Sequence, residues 1–448
     1  MMSRTRFLIF LVLLSGLLTA PALLAQDADT PIQSCLDQIR DGCDLPGSLV
    51  ATFPSTPGAN STVYTGGVAN LSSGQPLEGD MQYRIGSTTK TFVATVVLQL
   101  IDEGRLDYDD TLQDLLGPAV APIQNADRIT VEKMLGMRSG IPDFNDCNFQ
   151  IELFTNPRRA WTPQEIVNTL EGVTPEFDPD DTCSECGSNC YEGDGIRQCW
   201  KYSNSNYLLL GMIIEAITGN RLENELENRL IIPLGLNDTY FATEPRFWGH
   251  RTRGYLFWPE DPSTLCDANP TYETTLRNVT SLFNPTAAWA AGAMVSTAPD
   301  LTRWVQALVS GELLSPETQR RRLIRTNADL AGIPLTYGLG LMEVFGFLGH
   351  GGEFFGYANV VFQNPTCGQS IIDMVNVFPE ASGASYYSNF LVAAQELCGQ
   401  RNCSESLSYV DTNVLSEIGL NATCSETEAQ RSGPFERSGY RGGLWHVY

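Results

Sequence analysis

Tyr83-Arg84-Ile85-Gly86-Ser87-Thr88-Thr89-Lys90-Thr91-Phe92 is the stretch that decides the fold and the chemistry of this 448-residue chain. It places the hydroxyl of Ser87 three residues before the amine of Lys90. Three residues turn an α-helix by about 300°, so the two side chains lie on neighbouring faces and can form a hydrogen bond. The chain has three lysines, and only Lys90 has a serine three positions before it. The spacing predicts a nucleophilic serine with a basic partner.

The residues that follow Ser87 predict the helix that carries Lys90. Apolar residues recur at helical spacing over Thr89–Glu103, and Gly104 follows as a stop signal. Ser87 then lies at the start of this helix, where backbone N–H groups have no partner within the helix. An isolated serine at such a position is also explained as a helix cap beside a solvated lysine, so the pair needs support from other motifs.

The order of the other segments predicts the fold class. Strands are predicted first at Gly47–Phe53 and Ser61–Gly67, and again at Tyr337–Phe345, Phe347–His350, Tyr357–Gln363 and Ser370–Val377. Between them helices are predicted at Thr130–Met137, Pro163–Leu170, Asn206–Thr218, Arg221–Leu230, Pro299–Val309 and Pro316–Leu323, and one more follows at Ser388–Leu397. Closely spaced strands favour an antiparallel sheet. We therefore expect a two-lobed α/β (α+β) fold, with an antiparallel sheet flanked by helices and an inserted, mostly helical lobe.

The two ends of the chain differ from its centre. Residues 1–25 have a basic start, an apolar run and small residues at the end, which is typical of a cleavable signal peptide, with a membrane anchor as the alternative. We expect one domain over residues 26–397, with a cysteine-rich insertion at about 180–199, and a polar extension over 398–448. The protein is then secreted, to the extracellular space or the periplasm, with no stable membrane insertion after cleavage.

Twelve cysteines fit an oxidising compartment and allow up to six disulfides, whose pairing the sequence leaves open. Cys183-x-x-Cys186, followed by Cys190 and Cys199, also has the spacing of a zinc site, but export favours disulfides and no metal is expected.

Six N-x-S/T sequons predict glycosylation if the source is eukaryotic: Asn60, Asn70, Asn237, Asn278, Asn402 and Asn421.

The net charge of −24 excludes nucleic acid as the expected partner and disfavours anionic membrane surfaces. Oligomeric state is left open by the sequence. We therefore expect a soluble enzyme or binding protein whose ligands are small molecules or peptides.

Two further motifs follow Ser87 and Lys90 in the chain. Tyr202-Ser203-Asn204 enters an apolar helix, where the Asn204 amide can hold a substrate carbonyl. His350-Gly351-Gly352 lies in a predicted strand, whose glycines allow a substrate close to the backbone. Either Lys90 or Tyr202 can take the proton of Ser87, and the sequence does not say which one does.

These motifs and their flanks resemble the serine β-lactamase-related family, which includes class C β-lactamases, D-alanyl-D-alanine carboxypeptidases, D-amino-acid peptidases and related esterases. The resemblance runs from about Pro46 to Leu397. It also rests on these strings: Ser139-Gly140-Ile141-Pro142-Asp143-Phe144, Pro233-Leu234-Gly235-Leu236, Ala291-Gly292-Ala293-Met294-Val295-Ser296-Thr297 and Tyr337-Gly338-Leu339-Gly340. The resemblance implies an active site in the cleft between an α/β lobe and a helical lobe, with no metal or organic cofactor.

The resemblance also implies a role for each motif. Ser87 becomes the acylated nucleophile, Lys90 and Tyr202 share the acid/base work, and Asn204 contacts the amide on the acyl side. His350, followed by Gly351 and Gly352, occupies the position of the third-motif lysine of β-lactamases. The backbone N–H groups of Ser87 and Glu353 form the oxyanion hole.

Departures from the family pattern shape the expected function. The His350-Gly351-Gly352 string replaces the Lys-Thr-Gly of β-lactamases, and Glu353 adds a negative charge at the cleft. Both favour an esterase or a peptidase. We therefore expect a secreted serine hydrolase that cleaves small-molecule or peptide esters or amides through a Ser87 acyl-enzyme. The alternatives are a catalytically silent, penicillin-binding-like protein, or a D-alanyl-D-alanine carboxypeptidase or β-lactamase.

Overall fold

A computed structural model describes residues 32–33, 36–37, 45–53, 62–193, 196–267, 270–330 and 333–378. The predicted signal peptide, the predicted helix Ser388–Leu397 and the extension 398–448 lie outside the described residues. The strands are β1 Gly47–Phe53, β2 Thr62–Asn70, β3 Gln75–Pro76, β4 Tyr83–Arg84, β5 Cys190–Gly193, β6 Ile196–Cys199, β7 Tyr240–Phe241, β8 Tyr255–Pro259, β9 Tyr272–Asn278, β10 Met294–Ser296, β11 Thr326–Leu330, β12 Ile333–Tyr337, β13 Met342–Val344, β14 Phe347–Phe354, β15 Tyr357–Gln363 and β16 Ser370–Val375. The α-helices are α1 Thr89–Asp102, α2 Leu112–Leu116, α3 Val131–Leu135, α4 Cys147–Thr155, α5 Pro163–Asn168, α6 Asn204–Thr218, α7 Leu222–Leu226, α8 Ile232–Leu234, α9 Ala298–Ser310 and α10 Pro316–Arg322.

A nine-stranded sheet joins the two ends of the described chain. Its strand order is β11-β12-β13-β14-β15-β16-β1-β2-β3, and every neighbouring pair is antiparallel. Strand β1 lies between β2 and β16, with Val50 opposite Tyr64 on one side and Asp373 on the other. The predicted antiparallel sheet is confirmed, and so is the mostly helical segment between its two halves.

The predicted strand Tyr337–Phe345 is wrong, because the chain turns within it. Strand β12 ends at Tyr337, and β13 begins only at Met342. Gly340 lies between them at φ +82° and donates its N–H to the carbonyl of Leu135 at 3.2 Å. A positive φ of this size suits glycine and ends a strand. The sequence also did not predict three small sheets in the helical segment. Their strand orders are β4-β10-β7, β5-β6 and β8-β9.

Helix α1 lies at the centre of the molecule and confirms the predicted helix from Thr89. It packs against α6 on one side and contacts β14 on the other. Phe92 stacks on Trp304 of α9, with ring centroids 3.6 Å apart, and the Trp304 indole donates to Thr91 Oγ1 at 2.8 Å. Since α9 itself packs against β14, β15 and β16, helix α1 is held between the sheet and the helical segment. Among the described residues, no helix is long and apolar enough to cross a membrane.

The cysteine-rich insertion is a hairpin of β5 and β6 held by two disulfides, Cys183–Cys190 and Cys186–Cys199. This confirms the disulfides predicted for the four cysteines. A third disulfide joins Cys147, at the start of α4, to Cys266. Strand β5 packs against β11, so the insertion touches the large sheet as well as solvent.

Candidate active site

Ser87 lies in a single 3₁₀ turn, Gly86–Thr88, that leads directly into α1. Gly86 has φ +46°, and a Cβ atom built on it would lie 2.0 Å from the carbonyl oxygen of Glu353. Only glycine avoids that overlap, because it has no Cβ atom. The turn that presents Ser87 is therefore pressed against the backbone of β14.

Lys90 is fully buried one turn after Ser87, as its spacing predicted. Its Nζ donates three hydrogen bonds: to Ser87 Oγ at 2.8 Å, to Asn204 Oδ1 at 2.7 Å and to the carbonyl of Ala291 at 2.9 Å. These use all three protons of an ammonium group. Burial nevertheless lowers the pKa of Lys90 to about 7, while the charge of Asp143 raises it in part. A lysine in this state can release and take up a proton near neutral pH.

Asp143 is a site residue whose role sequence reasoning missed, although the string Ser139–Phe144 was recognised. Its Oδ2 accepts a hydrogen bond from Asn204 Nδ2 at 2.9 Å, and its Oδ1 accepts one from the N–H of Asn145 at 3.1 Å. Burial raises the pKa of Asp143 to about 7, although Asn145, Lys90 and Asn204 lower it in part. The Asn204 amide thus connects the Asp143 carboxyl to the Lys90 amine. The sequence signal that could have indicated this role is the presence of an acidic residue in the otherwise uncharged string Ser139–Phe144.

Tyr202 precedes α6 and is 3% exposed. Lys90 Nζ lies 5.1 Å from the centre of its ring. The ring also packs beside Trp200 and Tyr337, at centroid distances of 6.5 and 6.4 Å. Trp200 follows the disulfide-held hairpin directly, so the hairpin and β12 both help to position the tyrosine.

His350 lies in β14, its side chain facing the same aromatic cluster, 6.3 Å from Tyr202 between ring centroids. Its Nδ1 is 2.5 Å from the carbonyl oxygen of Gly351, and its Nε2 is 3.3 Å from the hydroxyl of Tyr337. Burial and then the nearby Lys90 lower the pKa of His350 to about 3. The imidazole is neutral at physiological pH, with Nδ1–H donating to Gly351 and Nε2 accepting from Tyr337.

Gly352, the second glycine after His350, lies in close contact with the turn that carries Ser87. A Cβ atom on Gly352 would lie 2.0 Å from the carbonyl oxygen of Ile85 and 2.7 Å from the N atom of Thr88. Asn359 of β15 secures this contact, because its Nδ2 donates to the Gly352 carbonyl at 3.0 Å and its Oδ1 accepts from Thr88 Oγ1 at 2.8 Å. The close approach expected of a substrate at Gly352 is made, in this structure, by the protein itself.

A pocket opens beside Ser87 and is lined by Ser87, Asn204 and Glu353, whereas Lys90, Tyr202 and His350 are not among its lining residues. Hydrogen bonds and ring contacts bring residues of all three motifs together beside it. Asp143 joins them through Asn204. Glu353 lies next to Ser87 through both its backbone and its position on the pocket wall.

Comparison with known proteins identifies the family of the chain. The family model described as Beta-lactamase matches residues 35–392. Penicillin-binding protein 4 of Amycolatopsis lactamdurans is 28% identical over 214 residues, which cover 47% of this chain and 49% of that protein. The chain thus spans about half the length of this curated relative.

Two solved structures are similar over most of their length. A D-stereospecific amidohydrolase from Streptomyces sp. is 27% identical with a TM-score of 0.67, over 83% of this chain and 99% of that chain. A D-amino acid amidase from Ochrobactrum anthropi SV3, complexed with L-phenylalanine, is 27% identical with a TM-score of 0.64, over 77% and 91%. With a family model that matches most of its length and an antiparallel sheet of the same fold, the chain belongs to the β-lactamase family of serine hydrolases.

Proposed function

We propose that this protein is a secreted serine hydrolase that cleaves an ester or amide bond through an acyl-enzyme on Ser87. The observation that carries the proposal is the 2.8 Å hydrogen bond between Lys90 Nζ and Ser87 Oγ at a pocket edge. A serine becomes a useful nucleophile when a positioned base removes its proton. Lys90 with a pKa of about 7 is such a base at neutral pH.

The reaction begins with Lys90 in its uncharged form. Its amine accepts the Ser87 proton while Oγ bonds to the substrate carbonyl carbon, and the carbonyl electron pair moves onto the oxygen. The backbone N–H groups of Ser87 and Glu353 are proposed to stabilise that oxyanion. This assignment is supported by the contact of Gly86 with the Glu353 backbone, which sets the two segments side by side.

Collapse of the tetrahedral intermediate breaks the bond to the leaving alcohol or amine. Tyr202 is proposed to donate the proton that the leaving group needs, and Lys90 to restore that proton to Tyr202. Water then attacks the acyl carbon and gives a proton to the same pair. The bond to Ser87 Oγ breaks, and the pair returns that proton to Oγ, which releases the acid and the free serine. The support is the packing of Lys90 Nζ beside the Tyr202 ring. Asn204 and Asp143 hold Lys90 in place through the hydrogen bonds described above.

The substrate is proposed to be neutral or cationic near its reacting carbonyl. His350, in the place where β-lactamases carry a lysine, is buried and neutral, and Glu353 lines the pocket. Neither group attracts a substrate carboxylate. The names of the two similar structures, an amidohydrolase and an amino acid amidase, favour amides among the candidates.

Covalent labelling tests the nucleophile. A fluorophosphonate probe should modify the wild-type protein on the peptide that contains Ser87, and Ser87→Ala should remove both labelling and turnover of an activated ester. Ser73→Ala, at an exposed serine, is the matched control and should label normally. Undiminished labelling of Ser87→Ala would place the nucleophile elsewhere. A folded, unlabelled wild-type protein would favour the catalytically silent alternative.

Export is tested on the mature chain. Mass analysis of protein from the culture medium should give an N-terminus after Ala25, and nonreducing peptide maps should contain the Cys147–Cys266, Cys183–Cys190 and Cys186–Cys199 pairs. Retention of residues 1–25 in a membrane fraction would favour the anchor. Glycosylation at the six sequons remains a prediction, read from the same maps.

A further inference from the structure

The pocket beside Ser87 has mostly apolar walls. The space between these walls, open solvent included, is about 550 Å³. The apolar walls are formed by Phe144, Phe149, Leu153, Ala287, Ala288, Phe354, Phe355 and Phe378. Aromatic rings pack closely behind this surface, as where Phe355 stacks on Phe283 with centroids 3.9 Å apart. An apolar group of a ligand would be removed from water there.

One wall, helix α4, is fixed at its start. Cys147 is bonded to Cys266, and the Asp146 side chain accepts a hydrogen bond from the N–H of Phe149 at 2.8 Å. The helix therefore presents Phe149 and Leu153 from a backbone that is tied at its first turn. A wall that does not have to be ordered on binding adds to affinity for a group of matching shape.

Gln150 interrupts this apolar surface, as do Asn145 and Glu353. The Gln150 side chain lines the pocket and is 2% exposed. A ligand that displaces water from this part of the pocket has to offer the Gln150 amide a partner, because polar groups removed from water are generally paired.

We propose that this pocket holds the acyl part of the substrate, a bulky, mainly apolar group that carries no negative charge and has one hydrogen-bonding function for Gln150. This inference rests on the proposed function of Ser87. In an acyl-enzyme the acyl part stays bonded to Ser87 until water attacks, whereas the leaving group must depart. The pocket bordered by Ser87 suits the part that stays. An arylalkanoyl group with a phenolic hydroxyl, or an acyl chain with an amide, has the required chemistry.

Esters with one leaving group and different acyl parts test the assignment. We expect kcat/KM to rise at least tenfold from p-nitrophenyl acetate to p-nitrophenyl 3-phenylpropanoate, and at least fivefold more when a 4-hydroxyl is added to the ring. Leu153→Trp narrows the pocket, and the phenylpropanoate-to-acetate ratio should fall at least tenfold. Each result is a ratio within one protein, so a change in the active fraction cancels.

Gln150→Leu isolates the polar contact. It should remove the fivefold advantage of the hydroxyl while keeping the preference for phenylpropanoate, and Gln150→Met repeats the test with an apolar side chain that is unbranched, as that of glutamine is. Asn148→Leu is the matched control, since Asn148 is exposed on the same helix, and its ratios should equal those of wild type. Ratios unchanged in Gln150→Leu and Gln150→Met would overturn the role of Gln150. An acyl series with equal kcat/KM values would overturn the assignment of the pocket.

The test separates this inference from the function on which it rests. Failure of Ser87 to label with the fluorophosphonate probe would remove the acyl-enzyme itself. Normal labelling of Ser87 together with a flat acyl series would leave the hydrolase intact and refute only the pocket assignment.

Discussion

Replacing Asp143 with asparagine should move the pH dependence of catalysis to lower pH. The Asp143 carboxylate stabilises the charged form of Lys90 through Asn204, so its removal should make Lys90 lose its proton more easily. Asparagine also offers one acceptor oxygen where Asp143 offers two, to Asn204 and to the N–H of Asn145. If the Asn204 amide turns over to pair with the new side chain, it presents N–H instead of oxygen to Lys90. Both effects disfavour the ammonium.

The magnitude follows from the geometry. Hydrogen bonds of 2.7 and 2.9 Å on either side of one amide join Lys90 Nζ to Asp143 Oδ2. The two charges are then roughly 7 Å apart, and at an effective dielectric constant of about 20 they interact by about 2.4 kcal/mol. At about 1.4 kcal/mol for each pKa unit, loss of a fully charged carboxylate lowers the pKa of Lys90 by about 1.7 units. Because the pKa of Asp143 is itself raised to about 7, the carboxyl is partly protonated near neutral pH, and about 1.7 units is the upper bound of the shift. From a starting value of about 7, the shift places the pKa of Lys90 below neutrality.

The assay is kcat/KM for a neutral activated ester between pH 4.5 and 9, because that ratio reports ionisation of the free enzyme. Activity should fall on the acid side as Lys90 gains its proton, and in Asp143→Asn this fall should occur at lower pH, by at most about 1.7 units. Asp143→Glu should restore much of the wild-type profile. Asp267→Asn removes an equal charge from an exposed position and should leave the profile in place. An acid limb that stays at the wild-type pH, or moves upward, would refute the coupling of Asp143 to Lys90.

Three further outcomes are expected. Lys90→Ala and Tyr202→Phe should each lower kcat/KM by about 10²-fold or more, and the double variant should be little worse, since groups that act as one proton-transfer unit are not additive; multiplied losses would separate their roles. Because the pKa of His350 is about 3 when folded and about 6.5 when unfolded, its contribution to the free energy of unfolding should fall by about 1.4 kcal/mol per unit as pH drops from 6.5 towards 3. Urea unfolding at pH 6.5 and 4.5 should show a smaller difference for His350→Gln, and equal differences would contradict burial of the neutral ring. Glu353→Gln should raise kcat/KM at least tenfold for a carboxylated ester relative to its neutral analogue, and an unchanged ratio would mean that the carboxylate does not face the substrate.

Local rules explain what the sequence predicted well. The distance from Ser87 to Lys90 and the start of α1 depend on helical periodicity and a stop signal within twenty residues. Strands β1 and β15 were predicted at their observed bounds, because both are short, β-branched and bounded by turn residues. The joining of Ser87, Lys90 and Tyr202 in one place was expected from the order of motifs, and the structure confirms their proximity.

What the sequence did not predict depends on contacts between distant segments. The link from Asp143 to Lys90 requires α6 to bring Asn204 between them, and no local pattern encodes that arrangement. The turn at Gly340 is set partly by its hydrogen bond to Leu135, some two hundred residues earlier in the chain. Disulfide pairing is of the same kind, because four cysteines allow three pairings and only the folded hairpin selects one.

The position of β14 in the chain determines how late in synthesis the surroundings of Ser87 can form. Thr88, beside the nucleophile, contacts His350 and Asn359 across sequence separations of 262 and 271 residues. A ribosome that has completed α1 still has to add most of the chain before β14 and β15 exist. Contacts of such long range form late and make folding slow. A chain that has been made only as far as α1 therefore carries its serine without the strand that borders it, and the site can form only after β14 and β15 have been added.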